Sequence, residues 1–156
     1  MKNIEDVTIK KMPSNIEAEE ALLGCVLLGG DIEMEIAEAW IREDDAFYST
    51  KCMQVFQCMK DLYKNRVPID TITLSDKLQD SFGEKDSLFI LDLQDKAVSK
   101  SKVEYYARIV WERYIQRETA KSAQELLNAS FENFKEVGKI LEKHGKLIHE
   151  LRQIQP

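Results

Sequence analysis

The sequence contains little cysteine, and its few cysteines are not spaced as metal ligands or as a disulfide set. Three are present among 156 residues, Cys25, Cys52 and Cys58, and no two of them form a C-x-x-C pair. The two histidines, His144 and His149, lie far from them in the sequence. Zinc sites need clustered Cys and His, and a disulfide framework uses an even number of cysteines. We therefore expect reduced thiols packed as small apolar side chains, and no metal site.

Glycine, proline and long apolar runs are also scarce. Six glycines and three prolines are few, which disfavours a turn-rich all-β fold. No apolar run approaches the roughly 18 residues of a membrane-spanning helix, and residues 1–6 lack the apolar core of a secretory signal. With 44% apolar and 32% charged residues, the composition indicates an all-α globular protein, which we expect to be cytoplasmic and to have no membrane partner.

Sequence motifs for catalysis are absent. The chain has no G-x-x-x-x-G-K-[ST] loop, no G-x-G-x-x-G, no G-x-S-x-G and no H-E-x-x-H. Phosphate cradles, nucleophile elbows and zinc hydrolase sites depend on these spacings. We therefore expect no catalytic residue, no cofactor-binding residue and no enzymatic activity in this chain.

The charges are divided unevenly along the chain. Residues 1–99 hold 11 basic and 20 acidic side chains, whereas residues 100–156 hold 11 and 8. An acidic surface repels phosphate, so the first part is a poor nucleic-acid binder. The second part could contact DNA through Lys135, Lys139, Lys143 and Lys146, although the same spacing describes a solvated helix face. We expect DNA contact to be weak or indirect.

Residues 13–99 predict a compact bundle of about five short helices. Ser14 and Glu17 have the spacing of a capping box after Pro13, and the helix that they begin ends at Gly29-Gly30. Further apolar residues recur at helical spacing up to residue 99. The core predicted from this part of the chain consists of Leu22, Leu23, Val26, Phe47, Val55, Phe56, Met59 and Leu62.

Residues 100–154 predict an antiparallel helical hairpin. Ser101 and Glu104 form a second capping-box pair, and a helix can run from about residue 102 to 128 without glycine or proline. Asn133 is the predicted cap of a last helix. Apolar residues and one histidine follow steps of three and four along it, at Phe134, Val137, Leu141, His144, Ile148 and Leu151. This heptad seam is suited to packing against another helix.

The seam has two interpretations. It can close the hairpin internally, against a stripe of the long helix formed by Val103, Tyr106, Val110 and Tyr114; of these, Tyr106 and Val110 are also predicted core residues. Alternatively, the hairpin pairs with a second copy, because the long helix carries apolar residues away from that stripe. The predicted oligomer or partner interface consists of Tyr105, Ile109, Trp111, Ile115, Val137, Leu141, His144, Ile148 and Leu151.

Three segments occur in an order that carries a family resemblance. Residues 13–24 read PSNIEAEEALLG, similar to P-x-N-x-E-A-E-x-x-x-L-G. Phe47-Tyr48 precedes a helix, which is followed by Pro68-Ile69-Asp70 and Thr73-Leu74. Residues 104–110 read EYYARIV, which is similar to an entry into a long hairpin helix. In this order and spacing the segments resemble the N-terminal domain of DnaB-type replicative DNA helicases, and the resemblance covers about residues 13–152.

The resemblance implies a non-catalytic collar domain of a hexameric helicase that acts in DNA replication. It agrees with a division into a flexible tail (residues 1–12), a globular helical subdomain (13–99) and a hairpin for oligomerisation (100–154). The implied partners are further copies of the chain, primase and, in some systems, a helicase loader. The copies would form dimers, and three dimers would form a hexameric ring. The family uses ATP and Mg²⁺ only in a motor domain beyond the collar.

The sequence leaves other functions open. The chain ends at Pro156 without a motor domain, so we expect either a fragment of a helicase or a stand-alone relative that caps or regulates one. A helical DNA-binding domain and a helical adaptor unrelated to replication are further alternatives. The adaptor would account for the seam but not for the three segments of the resemblance.

Overall fold

The structure is a computed structural model. It describes residues 11–153, apart from the side chains of Glu150, Leu151 and Gln153. In this range the chain forms seven α-helices and two short 3-10 turns, with no strand. The all-α class predicted from the sequence is confirmed. Most of the predicted tail, residues 1–10, lies outside the described residues.

The helices follow one another with short connections. The five shorter ones are α1 (Ile16–Gly29), α2 (Asp31–Trp40), α3 (Thr50–Lys64), α4 (Thr71–Phe82) and α5 (Ser87–Lys96). The long helix α6 covers Val103–Ser130, and α7 covers Phe134–Gln153. The connection between α6 and α7 covers residues 131–133, where the sequence predicts the long helix to have ended and Asn133 to cap the last helix.

The chain divides into two compact units. The globular unit is Asn15–Tyr114, and the hairpin unit contains, among the described residues, 115–153 together with 11–14. The division therefore lies within α6, whereas the sequence had suggested a boundary between residues 99 and 100. The first turns of α6 belong to the globular unit because Val103, Ala107 and Val110 are buried there.

Two of the predicted helix starts are wrong in detail. At α1 the cap is Asn15 and not Ser14: Asn15 Oδ1 accepts a hydrogen bond from the backbone amide of Ala18 at 2.9 Å. Before α6, Ser99 caps the 3-10 turn Lys100–Lys102, so that the predicted pair of Ser101 and Glu104 does not begin the helix. A polar side chain caps each start, one residue after the predicted cap at α1 and two residues before it at the 3-10 turn.

The core of the globular unit contains nearly every residue that the sequence assigned to it. Leu22, Leu23, Val26, Phe56 and Met59 are completely buried. Helices α1 and α5 approach each other at Gly24, where an added Cβ would lie 2.2 Å from the carbonyl oxygen of Leu93. The other predicted core residues that are buried are Phe47, Val55, Leu62 and Val110. Tyr106 differs, because it is half-exposed.

Trp111 was predicted to lie uncovered on an interface, and this expectation is wrong. Its side chain is 2% exposed within the globular unit. The indole ring packs against Tyr114 of the same helix, with ring centroids 4.9 Å apart. Helical periodicity indicated that Trp111 lies off the Val103–Val110 stripe, but it could not show that the globular unit covers a second side of the helix.

Candidate interaction surfaces

The two helices of the hairpin unit are joined by polar contacts that establish their direction. The hydroxyl of Ser122 lies within hydrogen-bonding distance of Nδ1 of His144. One turn further along α6, Glu125 accepts from Lys143 at 2.9 Å. Residue numbers rise along α6 as they fall along α7, so the hairpin is antiparallel. His144 therefore serves to close the hairpin, and it is half-buried.

The predicted seam on α7 separates into two stripes. Val137 and His144 are half-buried, whereas Phe134, Leu141 and Ile148 are 91%, 51% and 40% exposed. Residues seven apart on a helix lie almost on one line, and the two lines of a heptad seam lie about 60° apart. The stripe of Phe134, Leu141 and Ile148, here named the outer stripe, is uncovered in a single copy. The side chain of Leu151 lies outside the described residues.

Two glycines lie beside the outer stripe without a structural requirement in their own chain. Gly138 and Gly145 are helical, and an added Cβ would meet no heavy atom within 4 Å at either position. Neither has the positive φ that favours glycine. A glycine inside a helix costs roughly 0.5–1 kcal/mol relative to alanine. The result is a flat strip of backbone between Phe134, Leu141 and Ile148.

Two of the lysines on α7, Lys139 and Lys143, are already paired with carboxylates. Lys139 pairs with Glu136 at 3.4 Å, and Lys143 pairs with Glu125 at 2.9 Å. Both pairs are largely exposed to solvent, so each contributes little to stability. They reduce the positive charge that this face could offer to a phosphate backbone.

The globular unit has a groove between α1, the end of α5 and the first turns of α6. Its volume is about 380 Å³, and it is lined by Asn15, Glu17, Ala18, Ala21, Lys96, Tyr106 and Ile109. Ala18 and Ala21 form a nearly buried floor, while Tyr106 and Ile109 are half-exposed walls. Tyr106 therefore departs from the predicted core because it lines this groove.

The rim of the groove is acidic. Lys96 forms an ion pair with Glu20. The hydrogen bond to Glu20 raises the pKa of Lys96 above its ordinary value, and the carboxylates of Glu20, Asp92 and Glu17 add to this effect. Glu17 and Lys96 line the groove itself, and Glu20 and Asp92 lie near the ammonium group of Lys96, so carboxylates outnumber the one cation at this place.

The cysteines offer no reactive site. All three are free and buried. Burial is the main cause that raises the pKa of Cys25 to about 11 and that of Cys52 to about 12, and it also raises the pKa of Cys58. A thiol held protonated in this way is a poor nucleophile and a poor metal ligand. Among the described residues, no cluster of three or more His, Cys, Asp or Glu could hold a metal ion.

The interface residues predicted on α6 differ in exposure. Tyr105 is 65% exposed on α6, and Ile109 and Ile115 are half-buried. The groove was not predicted, because it requires α1 and α6 to lie together although they are far apart in the sequence. None of the described helices is both long enough and apolar enough to cross a membrane.

Comparisons with known proteins agree on one family. The family described as "DnaB-like helicase N terminal domain" matches residues 11–112. The chain is 29% identical over 149 residues to the "Replicative DNA helicase DnaB" of a Nostoc species. The aligned region covers 92% of this chain and 16% of that protein. The protein of the same name from Geobacillus stearothermophilus is 29% identical over 147 residues, covering 90% of this chain and 31% of its own length.

A solved structure has the same fold. The crystal structure of the N-terminal domain of DnaB helicase from Mycobacterium tuberculosis superposes with a TM-score of 0.77 at 19% identity. The match covers 90% of this chain and 99% of that domain. The family match extends over more than half of the chain and includes the segments on which the resemblance rested. The chain therefore belongs to the DnaB-like helicase N-terminal domain family.

Proposed function

We propose that this domain is a non-catalytic assembly domain of a replicative helicase, which pairs with a second copy through its hairpin. In this proposal the pairs build the collar of a hexameric ring, as a trimer of dimers. The observation that carries the proposal is the outer stripe of α7, where Phe134, Leu141 and Ile148 are exposed at intervals of seven residues. Membership of the DnaB-like family supports the same function.

The energetics of the outer stripe favour a partner helix. Full burial of a large apolar side chain contributes roughly 1.5–3 kcal/mol before entropy is subtracted. A two-fold pairing would bury the three side chains of each copy, because an isologous interface uses the same surface twice. Gly138 and Gly145 leave the backbone open between these side chains, so a second helix can approach α7 closely.

Partner binding is the second part of the proposal. Family membership supports a contact with primase and, in some systems, with a helicase loader. The globular unit supports contact with proteins rather than DNA, since residues 15–114 hold 12 basic and 20 acidic side chains. Lys139 and Lys143 are paired with carboxylates, which supports a weak or indirect role for DNA.

The self-association is tested by sedimentation equilibrium of the purified chain from micromolar to millimolar concentration. Mass action requires the average mass to rise with concentration if the outer stripe is an interface. We expect a dimer at the upper end of this range. A constant monomer mass throughout would contradict the proposal.

A further inference from the structure

We propose that the groove between α1, α5 and α6 receives the apolar face of a basic amphipathic helix from a partner protein. The surface is defined by Ala18, Ala21, Tyr106 and Ile109, with Glu17, Glu20 and Asp92 around it. This inference deepens the partner-binding part of the proposed function, on which it rests, and it is independent of self-association through α7.

The shape of the groove fits a helix that docks with side chains three or four residues apart. Ala18 and Ala21 are three apart on α1, and Tyr106 and Ile109 are three apart on α6. Each pair therefore lies on one face of its helix, and both faces line the cleft. The small alanine side chains give the groove depth, while the larger Tyr106 and Ile109 side chains form its wall. Helix-in-groove recognition uses such anchor spacings.

The surroundings of the groove select a basic partner. Lys96 is held by Glu20, so its charge is already balanced. Glu17 lines the groove, and Asp92 lies near enough to Lys96 for its carboxylate to act on the same ammonium group. Lysine or arginine residues that flank the apolar anchors of a docking helix would meet these carboxylates. The acidic excess of the globular unit would attract such a helix over a longer range and would repel nucleic acid.

The experiment uses two synthetic peptides and the whole chain. One peptide is an amphipathic helix of leucine and lysine with leucine at positions i, i+3, i+4 and i+7, and the other has glutamate in place of every lysine. Binding to each is followed by titration calorimetry. Two variants alter the groove: Ile109→Asp places a charge on its wall, and Glu17→Lys with Asp92→Lys reverses its rim. The matched control is Ile72→Asp, because Ile72 is 79% exposed on α4, outside the groove.

The expected result is that the lysine peptide binds and the glutamate peptide does not. Ile109→Asp and the rim reversal should each weaken binding by about tenfold or more, whereas Ile72→Asp should leave it unchanged. Circular dichroism shows whether each variant is folded, and the rim reversal changes only exposed residues. The proposal is overturned if both groove variants bind like Ile72→Asp, if the two peptides bind equally, or if neither binds.

Sedimentation of the same samples separates this result from the proposed function. A chain that dimerises but does not bind the lysine peptide overturns the groove proposal alone. A chain that binds the peptide but stays a monomer overturns the assembly proposal alone. If Ile109→Asp abolishes dimerisation and leaves peptide binding intact, the groove belongs to a second copy, and the present inference is wrong.

Discussion

The carboxylate of Glu19 on α1 accepts a hydrogen bond from the backbone amide of Ser49 at 3.0 Å. Its other oxygen accepts from the amide of Tyr48 at 2.9 Å. Ser49 is the cap of α3, and Glu19 is only 1% exposed. One buried carboxylate thus attaches the start of α3 to α1, and both of its oxygens are satisfied by backbone amides.

Replacing this carboxylate should destabilise the globular unit. Glu19→Gln keeps the size and shape of the side chain, but it replaces one accepting oxygen by an NH2 group, a donor that would face a backbone amide, also a donor. Hydrogen bonds to charged groups contribute about 1.5–3 kcal/mol, and we expect a loss of about this size in the free energy of unfolding by urea. Glu17→Gln is the control, because Glu17 is exposed on the same helix. Equal stability of the two variants would show that the buried contacts contribute nothing.

The same substitution, phenylalanine to alanine, should have different effects on stability in the core and on the outer stripe. Phe56 is completely buried, and Phe134 is 91% exposed. Phe56→Ala should lower the free energy of unfolding by about 3–5 kcal/mol, whereas Phe134→Ala should change that of the monomer by less than about 0.5 kcal/mol. Both are measured by denaturant unfolding at low concentration, where dimers are absent. Similar losses in the two variants would contradict this assignment of the core.

Much of the fold could be predicted from residue spacing, and the exceptions have local causes. Phe56 and Met59 follow a helical stripe, so their burial could be read from the sequence. Trp111 and Tyr106 could not be assigned in this way, because their burial depends on how α6 packs against helices distant in the sequence. The sequence could not decide between Ser14 and Asn15 as the cap of α1, because either side chain can accept a hydrogen bond from the first helical turn. In the structure Asn15 is the cap.

The candidate surfaces were only partly predictable for the same reason. The seven-residue repeat on α7 located an apolar seam, but the repeat alone could not show which of its two lines faces α6. The contact of Ser122 with His144 decides this, and it leaves Leu141 on the outer stripe. The groove has no signal in the sequence, since its floor and its wall come from residues about 90 positions apart.

The three thiols should be unreactive in the folded protein. Cys25, Cys52 and Cys58 are buried, and their pKa values are raised, to about 11 for Cys25 and about 12 for Cys52. Because only the thiolate reacts and its fraction falls as the pKa rises, alkylation by iodoacetamide at pH 8 should be slow. Mass spectrometry should find three modified cysteines only after unfolding. Rapid labelling of the native chain would show that the thiols are accessible.

The glycines of α7 should influence folding and assembly in opposite directions. Gly138→Ala and Gly145→Ala should each stabilise the helix by about 0.5–1 kcal/mol, since their added Cβ atoms meet nothing in the same chain. The same atoms should weaken dimerisation by keeping a second helix away. Thermal unfolding at low concentration measures the first effect, and sedimentation measures the second. A tighter dimer in the double variant would show that no helix approaches closely there.

The assembly claim is tested most directly by comparing Leu141→Asp with Leu88→Asp in multi-angle light scattering. Leu141 is 51% exposed on the outer stripe, and Leu88 is 81% exposed on α5, so both variants place the same charge on an exposed helix position. We expect Leu141→Asp to be a folded monomer, whereas Leu88→Asp should keep the dimer mass of the unmodified chain. Retention of the dimer by Leu141→Asp, with helicity unchanged, would contradict this expectation.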